Sequence, residues 1–376
     1  MRRLPSTPRP DWRRKLESIG FLFHTMEGVY WNENACYVFD MAEVDALEAT
    51  SNELQRLCLA AVDYVIERNL FARLAIADSL VPWIRASWEQ REPSLYGRFD
   101  LSVHGPDCIK LLEYNADTPT ALFEASVAQW YWLQERDPAS DQFNSIHEQL
   151  IARWRELGAR LPDGEQVHFA CLHDNVEDWI TTEYLRDTAA QAGLRTASLD
   201  MGAIGYDERD EVFVDTDNRA IGTLFKLYPW EWMVDEDFGP LMLRQDWRTL
   251  EPPWKMILSN KGILAVLWEL FPNHPNLLPA YFEPDALGAR YARKPLLSRE
   301  GANVLLYEDG RTTQSAGDYG REGFVYQALC PLPVFDGNHA VVGSWIVGDR
   351  SAGIGIREDD DPITRNTSRF VPHYID

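Results

Sequence analysis

The sequence lacks the features that mark disulfide-bonded, zinc-binding and membrane-spanning proteins. Its cysteines are odd in number, far apart and without a CxxC pair, which argues against a disulfide framework or a zinc knuckle: Cys36, Cys58, Cys108, Cys171 and Cys330. No stretch approaches the roughly 18 uninterrupted apolar residues of a membrane helix. The basic start MRRLPSTPRPDWRRK is not followed by an apolar run of signal-peptide length. We therefore expect a cytoplasmic protein with no membrane partner.

Positive charge is also scarce. The chain has 36 Lys and Arg against 59 Asp and Glu, a formal net charge of −23. Such a surface repels a nucleic-acid backbone, so no nucleic-acid partner is expected. Solubility is the favoured explanation of this acidity, and an acidic cleft for a cationic ligand is the alternative.

Apolar material is plentiful, at 45% of 376 residues, which is enough for two or three folded domains. Residues 41–68 have apolar side chains at helical spacing and predict a long amphipathic helix. VHFACLHD, VEDWITTEYLRDTAAQAG and LRTASLDM predict a β-α-β unit that begins near residue 166. Residues 294–356 are rich in predicted strands. The fold class indicated is mixed α and β.

One stretch, YGRFDLSVHGPDCIKLLEYNADTPT (96–120), reads as a hairpin with polar side chains on one face. A turn between Pro106 and Asp107 pairs residues whose numbers sum to 213. Asp100 then faces Glu113, Arg98 faces Asn115, Phe99 faces Tyr114 and Leu101 faces Leu112. The hairpin therefore predicts an apolar face and a compact polar square of Arg98, Asp100, Glu113 and Asn115.

The square suggests metal and phosphate chemistry. Two opposed carboxylates repel one another unless a cation lies between them, and carboxylate and amide oxygens suit Mg²⁺. Arg98 is not a ligand but can clamp a phosphate oxygen. Two alternatives stay open. One is a solvated strand face whose acids pair with Arg98 and other cations, and the other is a glycosidase acid pair, which leaves Arg98 and Asn115 without a role.

The segment after the hairpin has the form of a helix start. Thr118 is a suitable N-cap and Pro119 a suitable first residue. A helix N-terminus at this place would lie beside the metal face and would attract a substrate carboxylate.

RFD, LLEYNADTPT and KPLLSREGANV (294–304) together resemble the glutathionylspermidine synthetase family, and the resemblance runs from GVYWNE to GIGIRED. It implies an ATP-grasp fold and an enzyme that joins a carboxylate to an amine. It further implies three segments: residues 1–165 and 253–376 as the two parts of the ATP-grasp fold, and residues 166–252 as an inserted α/β substrate-binding lobe.

The resemblance also implies roles for individual residues. Asp100, Glu113 and Asn115 would hold Mg²⁺, and Arg98 would reach the γ-phosphate or the acyl phosphate. Lys261 and Lys294 would contact ATP phosphates, and the backbone of Gln327, Ala328 and Leu329 would read the adenine. Ser298 and Gly301 lie in a loop, 295–303, whose N–H groups could cover phosphates.

On the substrate side, Glu177 and Asp178 resemble acids that help to bind a polyamine. PWEW (229–232) borders the same cleft, where Glu231 could meet an amine, although an aromatic corner of the core is the favoured interpretation of this stretch. Thr118 and Thr120 stand where glutathione-binding members of the family have serines. Nothing in the sequence resembles the family's amidase domain, so the likeness is to the stand-alone branch. Cys171 and His173 share a strand face but carry no mark of a catalytic dyad.

The expected function is therefore an ATP- and Mg²⁺-dependent carboxylate–amine ligase that works through an acyl phosphate on two small-molecule substrates. Two rivals stay open. One is a non-catalytic nucleotide-binding or regulatory protein of the same fold, and the other is a small-molecule kinase.

Overall fold

The computed structural model describes residues 1–26, 28–245 and 247–376 as a mixed α/β fold. Its α-helices are α1 Trp12–Ser18, α2 Met41–Arg68, α3 Val81–Glu89, α4 Gln129–Arg136, α5 Ile146–Gly158, α6 Val176–Gln191, α7 Trp230–Met233, α8 Gly239–Met242, α9 Met256–Ser259 and α10 Ile263–Leu270. A π-helical segment, Glu124–Ala128, leads directly into α4. Short 3₁₀ turns lie at Phe71–Leu74, Met201–Ala203, Pro253–Lys255 and Pro284–Ala286.

The strands of the first half of the chain are β1 Arg2–Pro5, β2 Ala35–Phe39, β3 Tyr96–Val103, β4 Ile109–Asn115, β5 Gln166–Cys171, β6 Arg195–Asp200, β7 Gly205–Asp207, β8 Val212–Val214 and β9 Thr223–Lys226. Those of the second half are β10 Arg248–Leu250, β11 Ala280–Tyr281, β12 Arg290–Pro295, β13 Leu305–Glu308, β14 Arg311–Gln314, β15 Phe324–Ala328, β16 Val334–Phe335, β17 Asn338–Val347, β18 Arg350–Asp359, β19 Arg369–Val371 and β20 His373–Ile375.

Three larger sheets surround the site. The first is antiparallel, runs β19-β18-β17-β3-β4 and adds β16 beside β17. The second, β11-β15-β12-β13-β14, is also antiparallel. The third, β10-β9-β5-β6, is parallel throughout and lies within residues 166–250. Smaller sheets are β1-β2-β20 and the pair β7-β8.

The long helix predicted over residues 41–68 is confirmed as α2. A reciprocal capping box between Asp40 and Glu43 starts it, and Asn69 ends it in the left-handed conformation. Its apolar side packs against β17 and β18, so the helix supports the sheet that carries the hairpin.

The predicted β-α-β unit is confirmed as β5-α6-β6. The side chain of Asn175 caps α6 by accepting hydrogen bonds from the backbone N–H groups of Glu177 and Asp178. The parallel sheet thus presents the first turn of α6 at the carboxyl end of β5, where such sheets place ligands. The division of the whole chain at residues 165 and 252 stays a prediction.

The hairpin is confirmed as β3 and β4, and its predicted register is correct for three pairs. Arg98 lies opposite Asn115, Phe99 opposite Tyr114 and Asp100 opposite Glu113, with the Phe99 and Tyr114 rings stacked 4.1 Å apart. The Leu101–Leu112 pair is wrong, because a β-bulge shifts the register and pairs Leu101 with Leu111. A bulge leaves one residue of the strand unpaired and re-aims its neighbours.

Candidate active site

The predicted site residues meet around one cavity of about 360 Å³, bordered by the three larger sheets. Twelve of the thirteen residues to which the sequence assigns a metal, nucleotide or substrate role line it: Arg98, Asp100, Glu113, Asn115, Thr118, Thr120, Glu177, Asp178, Lys294, Gln327, Ala328 and Leu329. The thirteenth, Lys261, reaches the wall through an ion pair of 2.9 Å between its Nζ and Glu113 Oε2. Residues from widely separated parts of the chain therefore share one solvent-accessible space.

The polar square is compact and buried. Arg98 binds Asp100 through two hydrogen bonds, Nε to Oδ1 at 2.7 Å and Nη2 to Oδ2 at 3.0 Å. Asn115 Nδ2 donates to Glu113 Oε1 at 3.2 Å and lies 3.4 Å from Asp100 Oδ2. Arg98 and Asp100 are each only 4% exposed, so the alternative of a solvated strand face is wrong.

Further cations offset the two carboxylates. Arg357 on β18 donates through Nη2 to Asp100 Oδ2 at 2.7 Å. Burial opposes the charge of Glu113, but Lys261 and Lys294 hold the pKa of this carboxyl below its ordinary value. The acids of the square thus pair with cations, as the strand-face alternative required, but they do so in a buried site and not in solvent.

The donor set fits Mg²⁺. Asp100 and Glu113 supply carboxylate oxygens and Asn115 supplies an amide, which are the hard ligands that this ion prefers. Elsewhere in residues 1–26, 28–245 and 247–376 no group of three or more His, Cys, Asp or Glu side chains could hold a metal. The square itself falls outside that definition because its third ligand is an amide.

At one end of the cavity, Lys294 on β12 connects the second sheet to the hairpin. Its Nζ donates to the carbonyl of Leu112 at 2.7 Å and to Gln327 Oε1 at 2.8 Å. Leu112 is the residue displaced by the bulge, so the bulge positions the acceptor. Burial lowers the pKa of Lys294 to about 8.

The residues predicted to read adenine lie at the end of β15, next to Lys294. Gln327 uses its side chain within the protein, because Nε2 donates to Leu111 O at 3.0 Å. The backbone N–H of Ala328 donates to Pro279 O at 2.7 Å. The neighbouring wall is apolar and includes Ala292, Leu306 and Leu332.

The helix start predicted at Thr118-Pro119 is wrong. The helix begins at Leu122 and is preceded by Ala121 with a φ of +64°, so Thr118 and Thr120 lie in an irregular segment. Thr118 Oγ1 accepts a hydrogen bond from Arg299, and the Thr120 carbonyl accepts one from Arg98. Both threonines nevertheless line the cavity beside the square.

The other end of the cavity is acidic. Glu177 and Asp178 from the first turn of α6 meet Glu300, and Glu124 lies behind them. Burial raises the pKa of each carboxyl, to about 7 for Asp178. Within the described residues, Glu177 Oε1 and Glu124 Oε2 have no hydrogen-bond partner. When ionised, these neighbouring carboxylates repel one another, and a cationic ligand would relieve the repulsion.

The loop 295–303 is attached to the parallel-sheet side of the cavity by Arg299. Its guanidinium lies 2.9 Å from Glu231 Oε1 and 5.9 Å from the centre of the Trp232 ring. Glu231, for which an amine contact was suggested, is therefore engaged by an arginine. Trp230 beside it is fully buried, as an aromatic corner would be.

Sequence reasoning gave no role to Arg299, Glu300, Arg357 or Glu124. The first two lie inside KPLLSREGANV and Arg357 inside GIGIRED, two stretches that carried the family resemblance, so the signal was present but not assigned. Glu124 looked like an ordinary helical acid, and its full burial is visible only in three dimensions.

Cys171 is fully buried, and burial raises its thiol pKa to about 12. A thiol of this kind is a poor nucleophile. Cys171 is therefore a core residue, whereas His173 lies beyond the end of β5 and is exposed, so the two do not share a strand face. None of the helices in the described residues is both long enough and apolar enough to cross a membrane.

Comparison with known proteins gives related sequences over the whole chain. The family model described as glutathionylspermidine synthase preATP-grasp matches residues 3–376. A Haemophilus influenzae protein named "Putative acid--amine ligase" is 41% identical, with 100% of both chains covered. Trypanothione synthetase of Crithidia fasciculata is 32% identical over 79% of this chain and 49% of its own length.

The bifunctional glutathionylspermidine synthetase/amidase of Escherichia coli is 27% identical over 89% of this chain and 58% of its own. The chain thus spans only about half the length of these two synthetases. A solved apo structure of a glutathione synthetase-like effector from Globodera pallida covers 97% of this chain and 96% of its own, with a TM-score of 0.59 at 11% identity. That likeness shows a shared fold. By the match of the family model over residues 3–376, the chain belongs to the glutathionylspermidine synthase family.

Proposed function

We propose that the protein is an ATP- and Mg²⁺-dependent carboxylate–amine ligase with an ATP-grasp fold. Its substrates would be a peptide or amino-acid carboxylate of the glutathione kind and an amine of the polyamine kind. The names of the relatives support this class of reaction. In this proposal residues 166–252 form the substrate lobe, and residues 1–165 and 253–376 form the ATP-grasp part.

The observation that carries the proposal is the order of groups along one cavity. Lys294 lies near Glu113 of the square. On the other side Arg98 and Arg357 lie near Glu124, and Glu124 lies near Glu177 of the acidic group. A nucleotide, a carboxylate and a cationic amine would then be held in the sequence in which they react. Holding reactants in this way can contribute several kcal/mol to catalysis, about 7–11 in the most favourable cases.

The reaction has two steps. The substrate carboxylate attacks the γ-phosphorus of ATP, an acyl phosphate forms and ADP leaves. The bound ammonium group then loses a proton, its nitrogen attacks the acyl carbon, phosphate leaves, and the nitrogen loses a second proton to give the amide. No covalent bond to a side chain is needed.

Charge compensation is the main task of the site. Arg98 would turn from Asp100 towards the transferring phosphoryl group, while Lys261 and Lys294 hold the other phosphates. Mg²⁺, when held by Asp100, Glu113 and Asn115, supplies positive charge next to the phosphates.

We assign Glu177 as the base that accepts the proton from the ammonium group. Glu177 and Glu231 are both acids suggested to lie near the amine. Glu231 is bound to Arg299, whereas Glu177 has a raised pKa and an oxygen without a partner in the described chain. A base must be near the proton it accepts and have a pKa near the working pH. The loop 295–303, with Arg299, would cover the acyl phosphate and exclude water.

The test is a panel of acids and amines incubated with ATP and Mg²⁺, with ADP and phosphate measured separately. A ligase releases both in equal amounts, and only when one acid and one amine are present together. ADP without phosphate would identify a small-molecule kinase instead. Tight ATP binding with no turnover for any pair would favour the non-catalytic nucleotide-binding protein.

A further inference from the structure

Behind the wall of the cavity lies a fully buried ion pair, Asp117 with Lys226. Lys226 Nζ donates to Asp117 Oδ1 at 2.6 Å and to the carbonyl of Tyr228 at 2.9 Å. It also lies 4.2 Å from the centre of the Trp230 ring. Asp117 accepts a second hydrogen bond, from the backbone N–H of Trp230 at 2.9 Å. Lys226 is 0% exposed and Asp117 is 2% exposed.

The pair connects two walls that carry different parts of the site. Asp117 follows β4, two residues after Asn115 and directly before Thr118. Lys226 ends β9 of the parallel sheet, and the segment after it leads to α7 with Glu231 and Trp232.

The lining of the cavity includes Leu227, Pro229 and Trp232 on one side and Thr118 and Thr120 on the other. Asp117 and Lys226 are not among the described residues that line it. They would therefore act on a substrate only through these neighbours.

Stability alone is a weak explanation for such a pair. Taking two charges out of water is costly, and a well-packed apolar pair in the same place is often as stable. What an ion pair adds is directional: each hydrogen bond that Asp117 accepts from the β9–α7 segment fixes one distance between the two walls. The two oxygens of Asp117 bind two different groups of the β9–α7 segment, Lys226 Nζ and the Trp230 N–H. This arrangement restrains the rotation of one wall relative to the other as well as the distance between them.

A second contact between the same walls depends on this distance. Arg299 donates both to Thr118 and to Glu231. Thr118 lies one residue from Asp117, and Glu231 lies one residue from Trp230, which Asp117 binds. A shift of one wall would therefore separate the two acceptors of Arg299.

We propose that Asp117 and Lys226 are positioning residues that hold the Thr118–Thr120 segment against α7 and so set the pocket for the carboxylate substrate. The assignment of this pocket to the carboxylate rests on the proposed function. The pair itself touches neither substrate. Loss of the ion pair should lower kcat/KM for the carboxylate substrate and leave the binding of ATP at the nucleotide end of the cavity unchanged.

The test uses two variants of the full chain. Lys226→Met removes the charge and keeps the length of the side chain. The double variant Asp117→Asn, Lys226→Met leaves no uncompensated charge and keeps an acceptor for the Trp230 N–H, so it should fold even where the single variant does not. Arg9→Met is the matched control, because Arg9 and Glu33 form a buried ion pair of 2.7 Å whose residues are not among those described as lining the cavity.

Two measurements separate this inference from the proposed function. Hydrogen exchange of the free protein should rise at residues 116–121 and 227–234 in both variants but not in the control. With an acid and amine that the wild type accepts, kcat/KM for the acid should fall about 10²-fold, as expected for a misplacement of about 1 Å. The dissociation constant of ATP should change less than about twofold.

Unchanged exchange in the two segments, or a rise spread evenly over the chain, would overturn the positioning role. An equal fall in kcat/KM for the carboxylate substrate in the control variant Arg9→Met would overturn it as well. If the wild type shows no turnover with any pair, the proposed function falls, while the exchange experiment still decides whether the pair holds the two walls together.

Discussion

Lys294 on β12 donates a hydrogen bond to the carbonyl of Leu112, the residue that a β-bulge displaces on β4. This contact brings the nucleotide end of the proposed site to the hairpin that carries the acids. The lysine is buried there, and burial lowers its pKa to about 8. Burial, offset in part by the charge of Glu113, thus sets the basicity of a proposed phosphate ligand.

We expect ATP affinity to fall as pH rises through about 8. The phosphates attract the protonated amine, and the free protein loses this proton near its lowered pKa of about 8. Above that pH the dissociation constant should rise by up to about tenfold per pH unit. Isothermal titration calorimetry with ATP and Mg²⁺ between pH 7 and pH 9.5 measures the effect.

Lys294→Met is the control for this dependence. It should bind ATP more weakly at pH 7 and show no further weakening across the same range. An identical pH profile in the variant would show that another group is responsible.

Asp100→Ala and Glu113→Ala should each reduce Mg²⁺-dependent turnover to below about 1% of wild type, since removal of one charge-stabilising contact can cost about 10²–10³-fold in kcat. The folded state should persist, as judged by circular dichroism. Asp107→Ala, in the exposed turn of the same hairpin, should keep full activity. Wild-type turnover in either of the first two variants would remove that residue from the metal site.

Arg98→Ala should lower kcat far more than ATP affinity. The guanidinium is occupied by Asp100 in the free protein, and we expect it to move to the phosphoryl group only as charge develops there. Steady-state kinetics together with ATP titration distinguish the two effects. A loss of affinity as large as the loss of kcat would mean that Arg98 contributes only to binding.

Affinity for the amine should rise as pH increases from 6 to 8. Burial raises the pKa of Asp178 to about 7, so the carboxyl is neutral below this pH and ionised above it. A primary ammonium group, with a pKa near that of lysine, about 10.4, stays charged throughout. Asp178→Asn should flatten the profile of the amine KM. A profile that keeps its full slope in this variant would assign the titration to another acid of the cluster.

The hairpin shows how far local pattern reaches. Alternation of apolar and polar residues defined the faces of β3 and β4, and three cross-strand pairs were predicted correctly. The bulge at Leu112 was missed, although two consecutive leucines, Leu111 and Leu112, interrupt the alternation there. The helix start predicted at Thr118-Pro119 was wrong as well. Good capping residues were present, but Arg98 and Arg299 bind this segment and hold it outside the helix.

Some individual side chains of the site could likewise be identified from the sequence, and others could not. The family resemblance pointed to Lys294 and to Glu177, and both line the cavity. Arg357 was not selected, because one arginine in a strand-rich stretch looks like any other until β18 aligns next to β17 and β3. Glu124 became notable only through its complete burial next to Glu177.

The sequence by itself determined the composition of the site, because strand periodicity places Arg98, Asp100, Glu113 and Asn115 on one face whatever surrounds them. It also determined α2 and the β5-α6-β6 unit, whose periodicities and caps are local. Only the tertiary structure decided which cations meet those acids and which carboxyls are buried with raised pKa values. It alone showed that Asp117 and Lys226, more than a hundred residues apart, join the two walls of the cavity. Such contacts depend on how separate sheets pack, and the local pattern of residues does not encode that packing.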